Sequence, residues 1–270
     1  MIGSIAGDII GSRYEFHNIS NEDFPLFSKS STFTDDTILT VATADVILDQ
    51  ASYGQYYFDY AKAFPNRGWG GSFITKIASG KLTPYNSYGN GAAMRVSPIG
   101  WVHNSIYDIL AEAKKSAECS HNHPEGIKGA QAAALAVFLA RTGASKKHIL
   151  EEVENLGYEL RRPMNSFDRG FDESCQKAIP RCMAIFNETT SYEDSIRKCI
   201  AMGGDVDTIA AIVGGISQAF YGMPSRDIVE YVYTKLNKHL ARITTEFTKK
   251  YIDPNFIEPT IIGTDAAADM

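Results

Sequence analysis

Apolar positions recur at helical spacing over most of the chain. Between residues 106 and 117 they fall at Ile106, Ile109, Leu110, Ala113 and Ala117, while Asp108, Glu112 and Lys115 lie on other faces, as expected for a helix on the surface. The stretch PEGIKGAQAAALAVFLAR, residues 124–141, is small and apolar on nearly every side, which predicts a helix buried centrally. Pro124 suits its first turn, and Glu125 suits the positive end of its dipole. The same periodicity predicts helices over 37–49, 54–63, 146–158, 173–186, 192–202, 208–221 and 225–240. Alternation of period two is scarce, so the predicted fold class is all-α.

Three connecting stretches, 17–32, 81–91 and 161–172, are long for a compact helical domain, and long loops in such folds usually carry function. The chain shows no internal repeat and no boundary that favours two units. A single domain over 1–262 is expected, followed by a frayed tail at 263–270.

Composition narrows the function classes. Of 270 residues, 44% are hydrophobic and 21% charged, as in soluble enzymes. No apolar run approaches the ~20 residues of a membrane span. The apolar start, MIGSIAGDIIGSRYEF, has no basic leader and carries Asp8, so it does not read as a secretory signal and a cytoplasmic location is expected. Cys119, Cys175, Cys182 and Cys199 lack CxxC spacing, which fits reduced core thiols better than zinc or disulfides. A net charge of -6 without a Lys/Arg cluster argues against a nucleic-acid surface and for a small or proteinaceous ligand, bound by a monomer.

Against this background two acidic clusters stand out. FTDDT places Asp35 and Asp36 side by side behind Thr34, and GGDVDT places Asp205, Asp207 and Thr208 after a glycine pair; each opens an apolar helix. Taken singly, each reads as a capped helix whose acids favour the dipole. Taken together, they offer four carboxylates and hydroxyl oxygens, the hard ligands of Mg²⁺, Mn²⁺ or Ca²⁺. Two ions roughly 3.5–4 Å apart would offset the repulsion between the aspartates and could clamp vicinal substrate oxygens. Local capping and a two-ion site both remain open on spacing alone.

Other stretches fit around such a site. GDIIGSRYE adds Asp8 and Glu15, the latter ahead of a long loop. NRGWGGSF and NSYGNGAAMRV are glycine-dense, with Trp69 and Tyr88 available for stacking and backbone amides for a pyrophosphate, yet neither is a Walker or dinucleotide fingerprint. His121 and His123 sit two apart without the further ligands a zinc site needs, and no G-x-S-x-G elbow is present.

In order along the chain, GDIIGSRYE, FTDDT, GWGG, SYGNGAAMRV, HNHPEGIKGAQAAA and GGDVDTIAAIVGGISQAFYG resemble the ADP-ribosylglycohydrolase family. The resemblance implies a compact orthogonal helical domain with two Mg²⁺ or Mn²⁺ ions held by Thr34, Asp35, Asp36, Asp205, Asp207 and Thr208. It implies hydrolysis that frees ADP-ribose from a modified protein side chain or a related conjugate, water attacking the anomeric carbon of the distal ribose. Glu15, Asp36 and Asp205 are the catalytic candidates. Gly68 and Gly70 are implied for close approach, Ser87, Tyr88, Gly89 and Asn90 for the diphosphate and ribose, and His121 for the pyrophosphate side. SYGNG is closer in wording to the serine-linkage branch than to the arginine-linkage branch; a modified nucleic-acid end is a further conceivable acceptor. A binuclear phosphohydrolase and a noncatalytic ADP-ribose-binding protein are the competing expectations.

Overall fold

The computed structural model describes residues 1–260; the tail expected at 263–270 lies outside the described residues. Their regular secondary structure is helical, with one isolated bridge between Gly89 and Ser174 and no strand among them, in agreement with the all-α expectation. In chain order the helices are α1 (Ile2–Gly11), α2 (Asp35–Asp49), α3 (Tyr53–Ala63), α4 (Gly71–Ala78), α5 (Gly91–Met94), α6 (Ile99–Val102) and α7 (Ile106–Glu118). They continue as α8 (Pro124–Arg141), α9 (Lys146–Glu154), α10 (Cys175–Glu188), α11 (Tyr192–Met202), α12 (Val206–Tyr221), α13 (Arg226–Lys235) and α14 (Lys238–Tyr251). No helix among the described residues is long and apolar enough to cross a membrane.

The centre is built from α1, α8 and α12, whose residues are largely buried. Helix α8 has the predicted bounds, with Pro124 in its first turn and the His123 ring accepting from the Glu125 amide. Every residue of α1 is buried, and this helix escapes the periodic reading because it has no polar face to set against an apolar one. It packs on α12 backbone to backbone. A Cβ at Gly7 would lie 2.0 Å from the carbonyl oxygen of Ala210, and one at Gly11 would lie 2.6 Å from Cα of Asp207, so only glycine permits this approach.

Most helix boundaries fall within two residues of the expected ones, and three stretches differ by more. The stretch 225–240 is not one helix: Leu236 and Asn237 interrupt it, and the Asn237 side chain accepts from the Leu240 amide to start α14. A capping amide that competes with the helical backbone explains the break. Helix α9 stops at Glu154, and Gly157 takes a positive φ of 94° in the turn that follows. The glycine-dense stretch after Trp69 is partly helical, since α4 starts directly after Gly70. The thiols behave as expected: Cys175, Cys182 and Cys199 are buried and all four cysteines are free.

Candidate active site

The N-termini of α2 and α12, more than 160 residues apart in sequence, meet in a cleft. Oδ2 of Asp36 accepts from Thr208 Oγ1 at 3.2 Å and lies 3.2 Å from Thr34 Oγ1, so a single carboxylate joins the two clusters. Thr34 also caps α2, its hydroxyl accepting from the Asp36 amide at 3.3 Å. The capping reading and the shared-site reading are therefore true of the same residue.

The α2 terminus is held from below by Asp8. This carboxylate, wholly buried in α1, accepts from the Thr34 amide (2.9 Å), the Thr34 hydroxyl (2.8 Å), the Thr37 amide (3.0 Å) and the Thr37 hydroxyl. Four donors satisfy its oxygens, and the Thr34 proton is drawn toward Asp8, leaving for another partner the one lone pair of that hydroxyl that the Asp36 amide does not use. The sequence reading noted Asp8 only as an added acid. The signal that marks it is a charged residue inside an otherwise apolar helix, which burial requires to be paired.

The α12 terminus is held differently. Gly203 and Gly204 take positive φ values of 78° and 86°, turning the chain just ahead of Asp205. Asn18 fastens this turn to the Glu15 loop: its Oδ1 accepts from the Gly204 amide at 2.6 Å, and its Nδ2 donates to the Glu15 and Gly204 carbonyls. Asn90, expected at the diphosphate and ribose, lines the cleft, and its Nδ2 donates to Asp205 Oδ2 at 2.7 Å, so it also orients an acidic ligand candidate.

The cleft encloses about 870 Å³ including its mouth. Its lining gathers the carboxyl groups of Glu15, Asp35, Asp36, Asp205, Asp207 and Glu173 and, with them, Ser87, Gly89, Asn90, His121 and Arg95. Gly68, with φ 86°, lies against Asp35, where a Cβ would come 3.2 Å from Oδ1, and Gly70 borders the cleft at the start of α4. Ser87 Oγ accepts from the Gly89 amide at 3.1 Å. Tyr88 is 51% exposed, edge-on to His123, and lies outside the cleft lining. Trp69 stacks on Phe73 and donates to the Phe64 carbonyl, a packing role. Phe171, which lines the mouth, stacks on the exposed Phe16.

Electrostatics set the acidic cluster apart. Burial first, then repulsion from Asp8, holds the carboxyls of Asp35 and Asp36 well above the usual range. Burial and then the neighbouring Asp36 do the same to Asp207. Burial, followed by the charge on Asp205, pushes Glu15 up to about 7. Oδ1 of Asp36 and Oδ1 of Asp207 are buried with no protein partner. Oxygens of Asp8, Asp36 and Asp207 lie within 4.8 Å of one another, as do those of Glu15, Asp205 and Asp207. Orphaned carboxylate oxygens in a crowded acidic pocket are what hard divalent cations satisfy, so the donor set fits such ions. In the same cleft, burial and the charge of Arg95 push the His121 imidazole well below its ordinary value, keeping it neutral.

Comparison with known proteins agrees with this arrangement. The sequence profile of the ADP-ribosylglycohydrolase family matches residues 1–252. The chain is 26% identical over 306 aligned positions to the ADP-ribosylhydrolase ARH3 of Mus musculus, covering 83% of each chain. It is 22% identical over 292 positions to the ADP-ribosylarginine hydrolase Tri1 of Pseudomonas putida (strain GB-1), covering 90% of this chain and 76% of that one. A solved structure described as an ADP-ribosylglycohydrolase-related protein complex superposes with a TM-score of 0.72 at 20% identity, over 92% of this chain and 94% of that chain, and shares the fold. The chain belongs to the ADP-ribosylglycohydrolase family.

Proposed function

We propose that this protein is a hydrolase that removes ADP-ribose from a modified acceptor by cleaving the bond at the anomeric carbon of the distal ribose. The observation that carries the proposal is the convergence of two Asp/Thr helix termini on one carboxylate, Asp36, in a cleft that also presents Ser87, His121 and Arg95. Carboxylates beside hydrogen-bond donors suit a ligand that carries both vicinal hydroxyls and a diphosphate.

Thr34, Asp35, Asp36, Asp205, Asp207 and Thr208 would hold two Mg²⁺ or Mn²⁺ ions. When bound, such ions supply Lewis-acid polarisation of neighbouring ribose hydroxyls and of water. The chain's own groups do the rest. Glu15, with its carboxyl near neutrality, is suited to accept a proton from the attacking water and to return it to the leaving group. Asp8 and Asn90 keep the two termini in register. Gly68 leaves room beside Asp35, and Ser87, Gly89 and His121 orient the diphosphate. The acceptor side opens past Glu15 toward Phe171. We take the enzyme to act as a cytoplasmic monomer, which fractionation and light scattering would check.

The test is incubation with ADP-ribosylated serine and arginine peptides, with Mg²⁺ and with EDTA, followed by mass spectrometry. Metal-dependent release of free ADP-ribose and intact peptide from at least one of them is the expected result. Phosphate release from nucleotides without ADP-ribose formation would favour a phosphohydrolase. Binding of ADP-ribose with no turnover on any conjugate would favour a binding module.

A further inference from the structure

Arg95 is fully buried, yet among the described residues it has no carboxylate partner. Its guanidinium packs over the Tyr57 ring, 4.4 Å from the centroid, and its Nη2 donates to the Ser116 carbonyl at 2.7 Å and to Ser120 Oγ at 3.0 Å. Nε and Nη1 have no protein partner, and Arg95 borders the same cleft as His121. A buried cation without a counter-ion is costly unless another group answers it.

The next link is the 2.8 Å contact between Ser120 Oγ and Nδ1 of His121. Arg95 can only donate, so Ser120 Oγ accepts from it, and the single serine proton is free to go to Nδ1. Were Nδ1 the donor, the serine oxygen would accept twice and its own proton would be left with only the weakly accepting Cys119 sulfur. With Nδ1 accepting, the ring proton sits on Nε2. That nitrogen faces the glycine turn that lines the cleft, within 3.5 Å of where a Cβ on Gly89 or Gly91 would be.

We propose that Arg95 and Ser120 are positioning residues that hold His121 as its Nε2–H tautomer, so that the ring donates a hydrogen bond into the cleft to a phosphate oxygen of the ligand. This rests on the reading that the cleft accepts an ADP-ribosyl group. The relay makes a neutral imidazole into a donor of fixed direction, and Arg95 adds a buried positive charge close by. Sequence spacing gives no hint of it, because Arg95 and Ser120 meet only through the packing of α5 against α7 and the turn after α7.

The test is ¹⁵N NMR of the histidine rings in the ligand-free full-length protein, combined with calorimetric titration of ADP-ribose. His121 is expected as the Nε2–H tautomer, with the Nε2 proton shifting on addition of ADP-ribose. Ser120→Ala is expected to give a mixture of tautomers and to weaken ADP-ribose binding roughly 3- to 10-fold. An Nδ1–H tautomer or an imidazolium in the unmodified protein at neutral pH would overturn the proposal. So would an unchanged tautomer with unchanged affinity in Ser120→Ala. If the unmodified protein binds no ADP-ribose, the functional reading fails, while the ligand-free spectra of the two proteins still decide the tautomer relay; should Ser120→Ala not fold, the spectrum of the unmodified protein decides it alone.

Discussion

The two helix termini that meet in the cleft carry similar sequences, TDDT at α2 and DVDT at α12, but they are held by opposite means. At α2 a buried, fully engaged carboxylate, Asp8, grips both threonines and faces the acidic cluster. At α12 a glycine turn and two neutral amides, Asn18 and Asn90, set the position of Asp205. The difference teaches that a short acidic motif does not define its own geometry. Each terminus takes its direction from a residue elsewhere in the chain, and the charged support is the one with more to lose.

The largest effect is expected at Glu15, which the Asn18 fastening ties to the α12 side. Glu15→Gln should lower kcat by about 10²- to 10⁴-fold while leaving Mn²⁺ binding by calorimetry nearly intact. Parallel losses of turnover and metal affinity would place Glu15 among the ligands instead. Next, Asp8→Asn should weaken Mn²⁺ binding by about 10- to 100-fold, because an amide nitrogen cannot accept from the Thr34 or Thr37 donors. Asn90→Ala, which removes one neutral hydrogen bond from Asp205, should stay near 10-fold or below in the same titration. Equal losses for these two variants would erase the contrast between the termini.

The smallest effect concerns pH. The folded-state value of Glu15 is raised from 4.5 to about 7, chiefly by burial, so its contribution to metal-free stability is present below its unfolded value and lost as pH rises through about 7. Asp35, Asp36 and Asp207 are raised in the same direction. In EDTA the thermal midpoint should therefore be lower at pH 8 than at pH 5. Added Mg²⁺, which binds the ionised carboxylates, should raise the pH 8 midpoint and flatten that trend. A midpoint that rises with pH in EDTA would mean the acidic cluster is not electrostatically strained.

How much of this was legible in the sequence follows from how far each signal reaches. The acidic clusters could be read because charges abutting apolar helices are anomalous wherever they occur, and α8 could be read because its apolar run starts at a proline and is long enough to be unambiguous. Asp8 could not be assigned, since its partners lie 26 and 29 residues away and only the packing of α1 against α2 brings them together. Asn90, expected at the diphosphate and ribose, does line the cleft, but its hold on Asp205, 115 residues away, could not be read from spacing. The break before α14 was missed because Leu236 and Leu240 continue the apolar spacing across it, and a capping amide outweighs the pattern there.

The meeting of the two termini is tested most directly by anomalous diffraction from crystals grown with Mn²⁺. Two peaks are expected, roughly 3.5–4 Å apart, in contact with Asp36 of the α2 terminus and Asp207 of the α12 terminus. Peaks confined to one terminus, or no peak near Asp36 at a Mn²⁺ concentration that supports turnover, would contradict the joint site.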